Sequence, residues 1–202
     1  MSQTLLFSSP ETFIDDEGEA VYHPAFFSSD EADAYFELCN EVNWRQDKIR
    51  IYGQEHNIPR ETAWFSIDGI SYTYSGIDMY PEPFPDFISE INERIKTKLG
   101  YEFNSVLLNK YRNGEDKVSW HADDEPELGE SVDVASISLG AERDFMLRKK
   151  NKPEVSKKIA MAHGSLLIMK HPLQIFWEHS LPRRKGILEP RINMTFRKIL
   201  KP

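Results

Sequence analysis

The chain has 202 residues, 40% hydrophobic and 12% aromatic, which suits one domain with a full core and excludes a disordered chain. A single cysteine, Cys39, excludes an internal disulfide, so a reducing, intracellular setting is expected: the cytoplasm in a bacterium, the nucleus in a eukaryote. The formal net charge of -8 argues against a polyanion partner until it is resolved along the chain.

Residues 1–47 carry eleven acids and one base, Arg45, whereas residues 143–202 carry fifteen bases and four acids. The last third can therefore present a basic surface to a polyanion, with the acidic first 47 residues facing away from that partner. Arg148, Lys149, Lys150, Lys152, Lys157 and Lys158 are candidates for phosphate contacts, as are Arg183, Arg184 and Lys185. The opening residues lack the basic and apolar runs of a signal peptide. No run of about 18 apolar residues occurs, so no membrane partner is expected. A monomer is expected.

Residues 1–27 read as an irregular lead-in with a strand near Ala20–Tyr22. Ser28 or Ser29 then caps a helix that places Ala32, Tyr35, Phe36, Cys39 and Val42 at helical spacing. Asp86–Leu99 repeats that design, with Phe87, Ile88, Ile91, Ile95 and Leu99 on one stripe and Gly100 as the stop. From Phe103 the period changes to two. Ser105–Tyr111, Ser131–Leu139, Phe145–Arg148, Ile159–Met161, Ser165–Met169 and Arg191–Lys198 read as short strands. Two helices followed by a run of strands predict a mostly β, α+β fold: a sandwich or barrel with flanking helices.

Two polar constellations stand out. His121-Ala122-Asp123 places an imidazole and a carboxylate on the same side of an extended chain, and His179 follows far downstream. Two histidines and a carboxylate suit a non-haem iron(II) oxygenase, and zinc is disfavoured by the near absence of sulfur ligands. His163 and His171 are the rival third ligands. The second constellation is Arg191-Ile192-Asn193-Met194-Thr195-Phe196-Arg197. It puts Arg191, Asn193, Thr195 and Arg197 on one strand face and large apolar residues on the other. Arginines inside a small barrel need anions, and a dicarboxylate supplies two; an edge strand with one solvated face is the alternative. Asn109 and Tyr111, also two residues apart, can complete the polar lining.

Taken in this order and spacing, Asn109-x-Tyr111, His121-x-Asp123, His179 and the strand 191–197 resemble the AlkB family of iron(II)- and 2-oxoglutarate-dependent dioxygenases. The stretches SYTYSG (71–76), HADDE (121–125), AHGSLLIMKHP (162–172), HSLP (179–182) and EPRINMTFRKI (189–199) are similar to the subgroup that repairs double-stranded DNA. The resemblance implies a double-stranded β-helix, or jelly roll, at 101–199. Nucleotide-recognition hairpins would lie at 49–80 and an acidic extension with a helix at 1–48, all in a single domain spanning 1–202. It implies Fe(II), 2-oxoglutarate and O2 as cofactor and co-substrates, with His121, Asp123 and His179 as metal ligands. Arg191 would pair with the distal carboxylate of 2-oxoglutarate and Arg197 would sit near the metal, with Asn109, Tyr111, Asn193 and Thr195 around them. The implied activity is oxidative demethylation of 1-methyladenine and 3-methylcytosine in alkylated DNA, double-stranded favoured and single-stranded admitted. Tyr74 would stack on a flipped base, Tyr52 would wedge into the gap, and Asp124 and Glu125 would face the cationic base. The subgroup pattern has phenylalanine where this chain has Tyr52 and Tyr74. Methylated RNA or protein as substrate, or a non-catalytic nucleic-acid-binding module, are the alternatives.

Overall fold

The computed structural model describes residues 9–14, 16–51, 53–67, 69, 72–74, 77–79, 81–155 and 157–200; at 50, 51, 72–74 and 77–79 it describes the backbone alone. In chain order the strands begin with β1 (Glu11–Ile14), β2 (Glu19–His23), β3 (Lys48–Ile51), β4 (Gln54–Asn57), β5 (Glu61–Ser66), β6 (Tyr72–Tyr74) and β7 (Ile77–Met79). They continue with β8 (Ser105–Tyr111), β9 (Val118–His121), β10 (Val134–Gly140), β11 (Arg143–Lys149), β12 (Lys157–Met161), β13 (Ser165–Lys170), β14 (Trp177–Leu181) and β15 (Arg191–Arg197). The helices are α1 (Ser29–Leu38), α2 (Asp86–Leu99) and the single turn α3 (Leu173–Phe176). None is long and apolar enough to cross a membrane.

Seven strands form one antiparallel sheet in the order β1-β2-β13-β10-β15-β8-β5, and four form a second in the order β12-β11-β14-β9. β3–β4 and β6–β7 are separate hairpins. The two large sheets face each other, the arrangement expected of a jelly roll. Strands β1, β2 and β5 come from segments 1–48 and 49–80, so the principal sheet draws on more than the stretch 101–199.

Two apolar cores explain the layering. On the outer face of the large sheet, Val106, Leu108, Ile137, Leu139, Ile192, Met194 and Phe196 meet Ile88, Ile91 and Ile95 of α2. All are almost fully buried. Each such side chain contributes roughly 1.5–3 kcal/mol. Between the sheets, Leu107, Val134 and Leu167 meet Phe145, Leu147 and Trp177. The helix ends follow local chemistry. Ser28 and Glu31 make a reciprocal capping box before α1. Gly100 ends α2 in the left-handed region at φ 80, its N–H donating to Lys96 O.

Strands with clear alternation lie where the sequence places them, within one to three residues. The strand expected from Ser131 starts at Val134 because Asp133 turns to accept the N–H of His171 at 2.8 Å. β5 and β14 were not expected. Glu61–Ser66 shows no alternation because nearly all of it is buried, its outer edge covered by bridges from Arg45 and Glu82. Trp177–Leu181 likewise mixes aromatic, charged and polar residues at buried or half-buried positions.

Gly140 shows how tightly the sheet end is built. It pairs with Arg191, has φ 82, and a Cβ there would lie 2.4 Å from Pro190 O. Gly100 has a similar φ but open space around it. Gly100→Ala is expected to cost about 1 kcal/mol from backbone strain alone, and Gly140→Ala clearly more because backbone must also move. Urea midpoints for the two variants measure this difference; equal midpoints would contradict it.

Candidate metal and co-substrate site

Antiparallel pairing brings the histidines together. His121 at the end of β9 lies opposite His179 on β14, so both side chains leave the same face, with ring centroids 4.3 Å apart. Asp123 follows two residues beyond His121, and the ligand atoms of the three side chains lie within 4.8 Å of one another. The rivals His163 and His171 are not part of that cluster. His163 Nδ1 accepts the N–H of Gly140 and its Nε2 lies 3.2 Å from Asp33.

Each ligand candidate is oriented differently. His121 Nδ1–H donates to Ser119 O at 2.8 Å, which leaves Nε2 with its lone pair toward the cluster. Asp123 is fully buried, and its Oδ1 accepts from Arg197 Nη2 at 2.6 Å. His179 stacks on Phe145 with ring centroids 5.0 Å apart, and its Nδ1 is buried without a hydrogen-bond partner.

Charge follows from burial. Burial alone would raise the Asp123 carboxyl, but Arg197, His179 and His121 outweigh it and hold the group down at about 2. Burial, reinforced by His121, pulls His179 down to about 3. Burial also lowers His121. At neutral pH the cluster is therefore one carboxylate and two neutral imidazoles, the protonation state a divalent cation requires. Asp123 Oδ2 is buried and has no hydrogen-bond partner among the described residues. That orphaned oxygen fits a metal ion.

The polar face of β15 meets that of β8 in register, Asn193 opposite Asn109 and Arg191 opposite Tyr111. Arg191 Nη2 donates to Ser138 Oγ at 2.7 Å, and its guanidinium lies 5.4 Å from the Tyr111 ring centroid. Burial lowers the Arg191 guanidinium to about 10, so it stays protonated at neutral pH. Its Nε is buried with no hydrogen-bond partner among the described residues, which suits an incoming carboxylate. Asn193 donates to Ser136 Oγ and Ile137 O, and Thr195 donates to Asn193 Oδ1. With His121, His179 and Arg197, the side chains of Asn109, Tyr111, Ser136, Arg191, Asn193 and Thr195 line one narrow cavity. β15 is thus buried on both faces, which excludes the solvated edge strand.

Asp124 and Glu125 follow the ligand candidate Asp123 directly in the chain. Alternation along the extended chain that turns 121 and 123 inward turns Asp124 out, where it pairs with Lys150 at 2.8 Å. The acidic first segment also pairs with the basic third. Asp16 and Glu17 both hold Lys149 at 2.7 Å, and Glu19 holds Lys170 at 2.7 Å. Arg148 pairs with Glu178, while Arg184 and Lys158 share Asp144. Tyr52 lies outside the described residues. Tyr74 stands on β6, and its side chain lies outside them as well.

Sequence reasoning missed Arg60, whose Nε donates to Asn109 Oδ1 at 2.7 Å, and Arg143, whose guanidinium donates to the carbonyls of Asn113, Asp116 and Pro182. Neither sits in a periodic pattern. Ser136 and Ser138, two residues apart in an apolar strand, carried a readable signal.

Comparison with known proteins adds lineage. The profile of the 2OG-Fe(II) oxygenase superfamily matches residues 19–197. The DNA oxidative demethylase ALKBH2 of Homo sapiens is 40% identical over 195 residues, covering 91% of this chain and 75% of that protein. The Alpha-ketoglutarate-dependent dioxygenase alkB homolog 3 of Homo sapiens is 41% identical over 187 residues, covering 88% of this chain and 65% of the other. The solved structure of OsALKBH1 superposes with a TM-score of 0.65 at 17% identity, covering 93% of this chain and all of that one, a likeness of fold.

In the metal-free protein, the folded state keeps His179 neutral down to about 3, whereas the unfolded chain takes that proton below 6.5. The unfolded state binds more protons in that window, so stability falls as pH drops through it. Asp123 adds a further loss from 3.8 down to about 2. The urea midpoint of the metal-free protein is expected to fall as pH is lowered from 6.5, and less steeply in His179→Gln. Identical slopes would contradict the assignment.

Proposed function

Since the chain belongs to the 2OG-Fe(II) oxygenase superfamily, we propose that it is an iron(II)- and 2-oxoglutarate-dependent DNA demethylase that removes N-methyl groups from 1-methyladenine and 3-methylcytosine. One observation carries this reading: a His-Asp-His cluster, with Asp123 and His179 buried and His121 half-buried, has an orphaned carboxylate oxygen and opens through its histidines onto a cavity lined by a buried, partly unsatisfied arginine. A divalent cation next to a dicarboxylate answers both needs.

His121, Asp123 and His179 would hold the iron. When bound, iron(II) with 2-oxoglutarate and O2 supplies the oxidation of the N-methyl carbon, the co-substrate leaving as succinate and carbon dioxide. The chain's own residues set the conditions. Arg191, braced by Ser138 and packed by Tyr111, would grip the distal carboxylate. Arg197 balances the charge of Asp123 and keeps it ionised. Arg60 holds Asn109 in the polar lining. Phe145, Met169 and Leu181 give the cavity apolar walls that exclude water from the reacting carbon.

The substrate must be extruded, because a paired base cannot reach a buried cluster. Methylation at N1 of adenine or N3 of cytosine blocks pairing and lowers that cost. Tyr74 as a stacking face and Tyr52 as a wedge are proposed for this step, on a single chain acting on duplex DNA in preference to single strands. Oxidation leaves a hydroxymethyl group on nitrogen, which departs as formaldehyde and restores the base.

The test is mass spectrometry of a duplex bearing one 1-methyladenine, incubated with and without iron(II) and 2-oxoglutarate. The expected result is replacement of the methyl by hydrogen only when both are present. His121→Ala should show none. Arg191→Ala should raise the KM for 2-oxoglutarate by about 10- to 100-fold, as loss of a charged hydrogen-bonding partner predicts. Turnover on single-stranded DNA, methylated RNA or methylated protein exceeding that on the duplex would redirect the substrate assignment. Absence of turnover with metal bound would leave a binding module.

A further inference from the structure

Gln174 is a carboxamide only 2% exposed, on the single turn α3 just ahead of β14. Its Oε1 accepts the backbone N–H of Asp123 at 3.0 Å. Its Nε2 donates to Met169 Sδ at 3.7 Å. β9 ends at His121, so the N–H of Asp123 lies beyond the sheet ladder. β14, which begins at Trp177, carries His179. The side chain therefore ties the turn that leads into β14 to the main chain of Asp123.

The side-chain contacts do not do this work. Ser119 sets the ring of His121, Arg197 sets one oxygen of Asp123, and Phe145 sets the ring of His179. None of them reaches the main chain at 123. A side chain hung on an untethered backbone would not keep its second oxygen aimed at the histidines.

We propose that Gln174 is a positioning residue of the metal site, which sets the main chain of Asp123 so that Oδ2 converges with His121 and His179. This rests on the reading of those three side chains as metal ligands. The surroundings explain the residue type. The inter-sheet core around it contains Met169, Leu173 and Trp177, where an ionised group would be costly and a thioether accepts a weak amide hydrogen bond. An outer-shell carboxamide orienting a carboxylate ligand through its backbone is the kind of contact whose loss weakens metal binding about 10- to 100-fold.

The experiment is a titration with cobalt(II) alone, without DNA or 2-oxoglutarate, followed by the visible absorption of the bound metal. Wild type, Gln174→Leu, Gln174→Glu and Ile175→Ala are compared. Gln174→Leu should weaken binding about 10- to 100-fold and change the absorption envelope, because the ligand geometry shifts. Gln174→Glu keeps an oxygen acceptor and, its buried carboxyl staying protonated, should recover both. Ile175→Ala, a change at an exposed side chain of the same turn that leaves the Asp123 contact in place, should match wild type. Affinity of the metal-free chain for a methylated duplex should be the same in all four, which a general loss of fold would not preserve. Wild-type cobalt affinity and spectrum in Gln174→Leu overturn the proposal, as does a parallel loss of duplex affinity. If Gln174→Leu does not fold, hydrogen exchange of the Asp123 amide in the metal-free wild type decides: protection supports the contact and rapid exchange overturns it. Failure of the wild type itself to bind cobalt would sink the metal-site reading instead.

Discussion

A carboxylate with no exposure to water sits at the centre of this protein, and its ionisation depends on what surrounds it. Asp123 stays charged because Arg197 lies 2.6 Å from one oxygen and two neutral imidazoles face the other. Removing water from a charge costs several kcal/mol unless a partner compensates. The arginine comes from the last strand, one imidazole from β9 and one from β14. The charge cluster thus forms only once strands distant in sequence have paired.

The double face of β15 is what makes that pairing compatible with a stable core. Ile192, Met194 and Phe196 face α2 through the outer core, while Arg191, Asn193, Thr195 and Arg197 face the space between the sheets. One strand thus joins the main apolar layer to the polar cavity. A register slip by one residue would bury the arginines against isoleucines and expose Phe196 to the cavity. The apolar face therefore enforces the placement of the polar one.

Much of this was legible in the sequence where chemistry is periodic. The alternation in 191–197, the stripe on α2 and the capping pair Ser28 and Glu31 each obey a local rule, and the structure follows them. His121 and Asp123 were legible because two residues apart on extended chain means one side. The same rule, carried one residue further, would have turned Asp124 outward to Lys150. What stayed hidden depends on contacts between distant residues. Arg60 meets Asn109, Arg143 meets three carbonyls, and Gln174 meets a backbone N–H fifty-one positions away. β5 was hidden because burial on both faces erases alternation. The ion pairs between the acidic first segment and the basic third stayed hidden because a bulk count of acids and bases says nothing about which of them pair.

That pairing changes the electrostatics of the basic third. Arg148, Lys149, Lys150, Lys158 and Arg184 each already hold an acid of this chain. A cation that arrives at a phosphate with its own carboxylate attached brings little net charge and displaces few condensed counterions. To grip a nucleic-acid backbone it must first let go of an internal partner. Lys152, Lys157 and Lys185, which pair with no acid among the described residues, are the ones that meet such a backbone without that exchange.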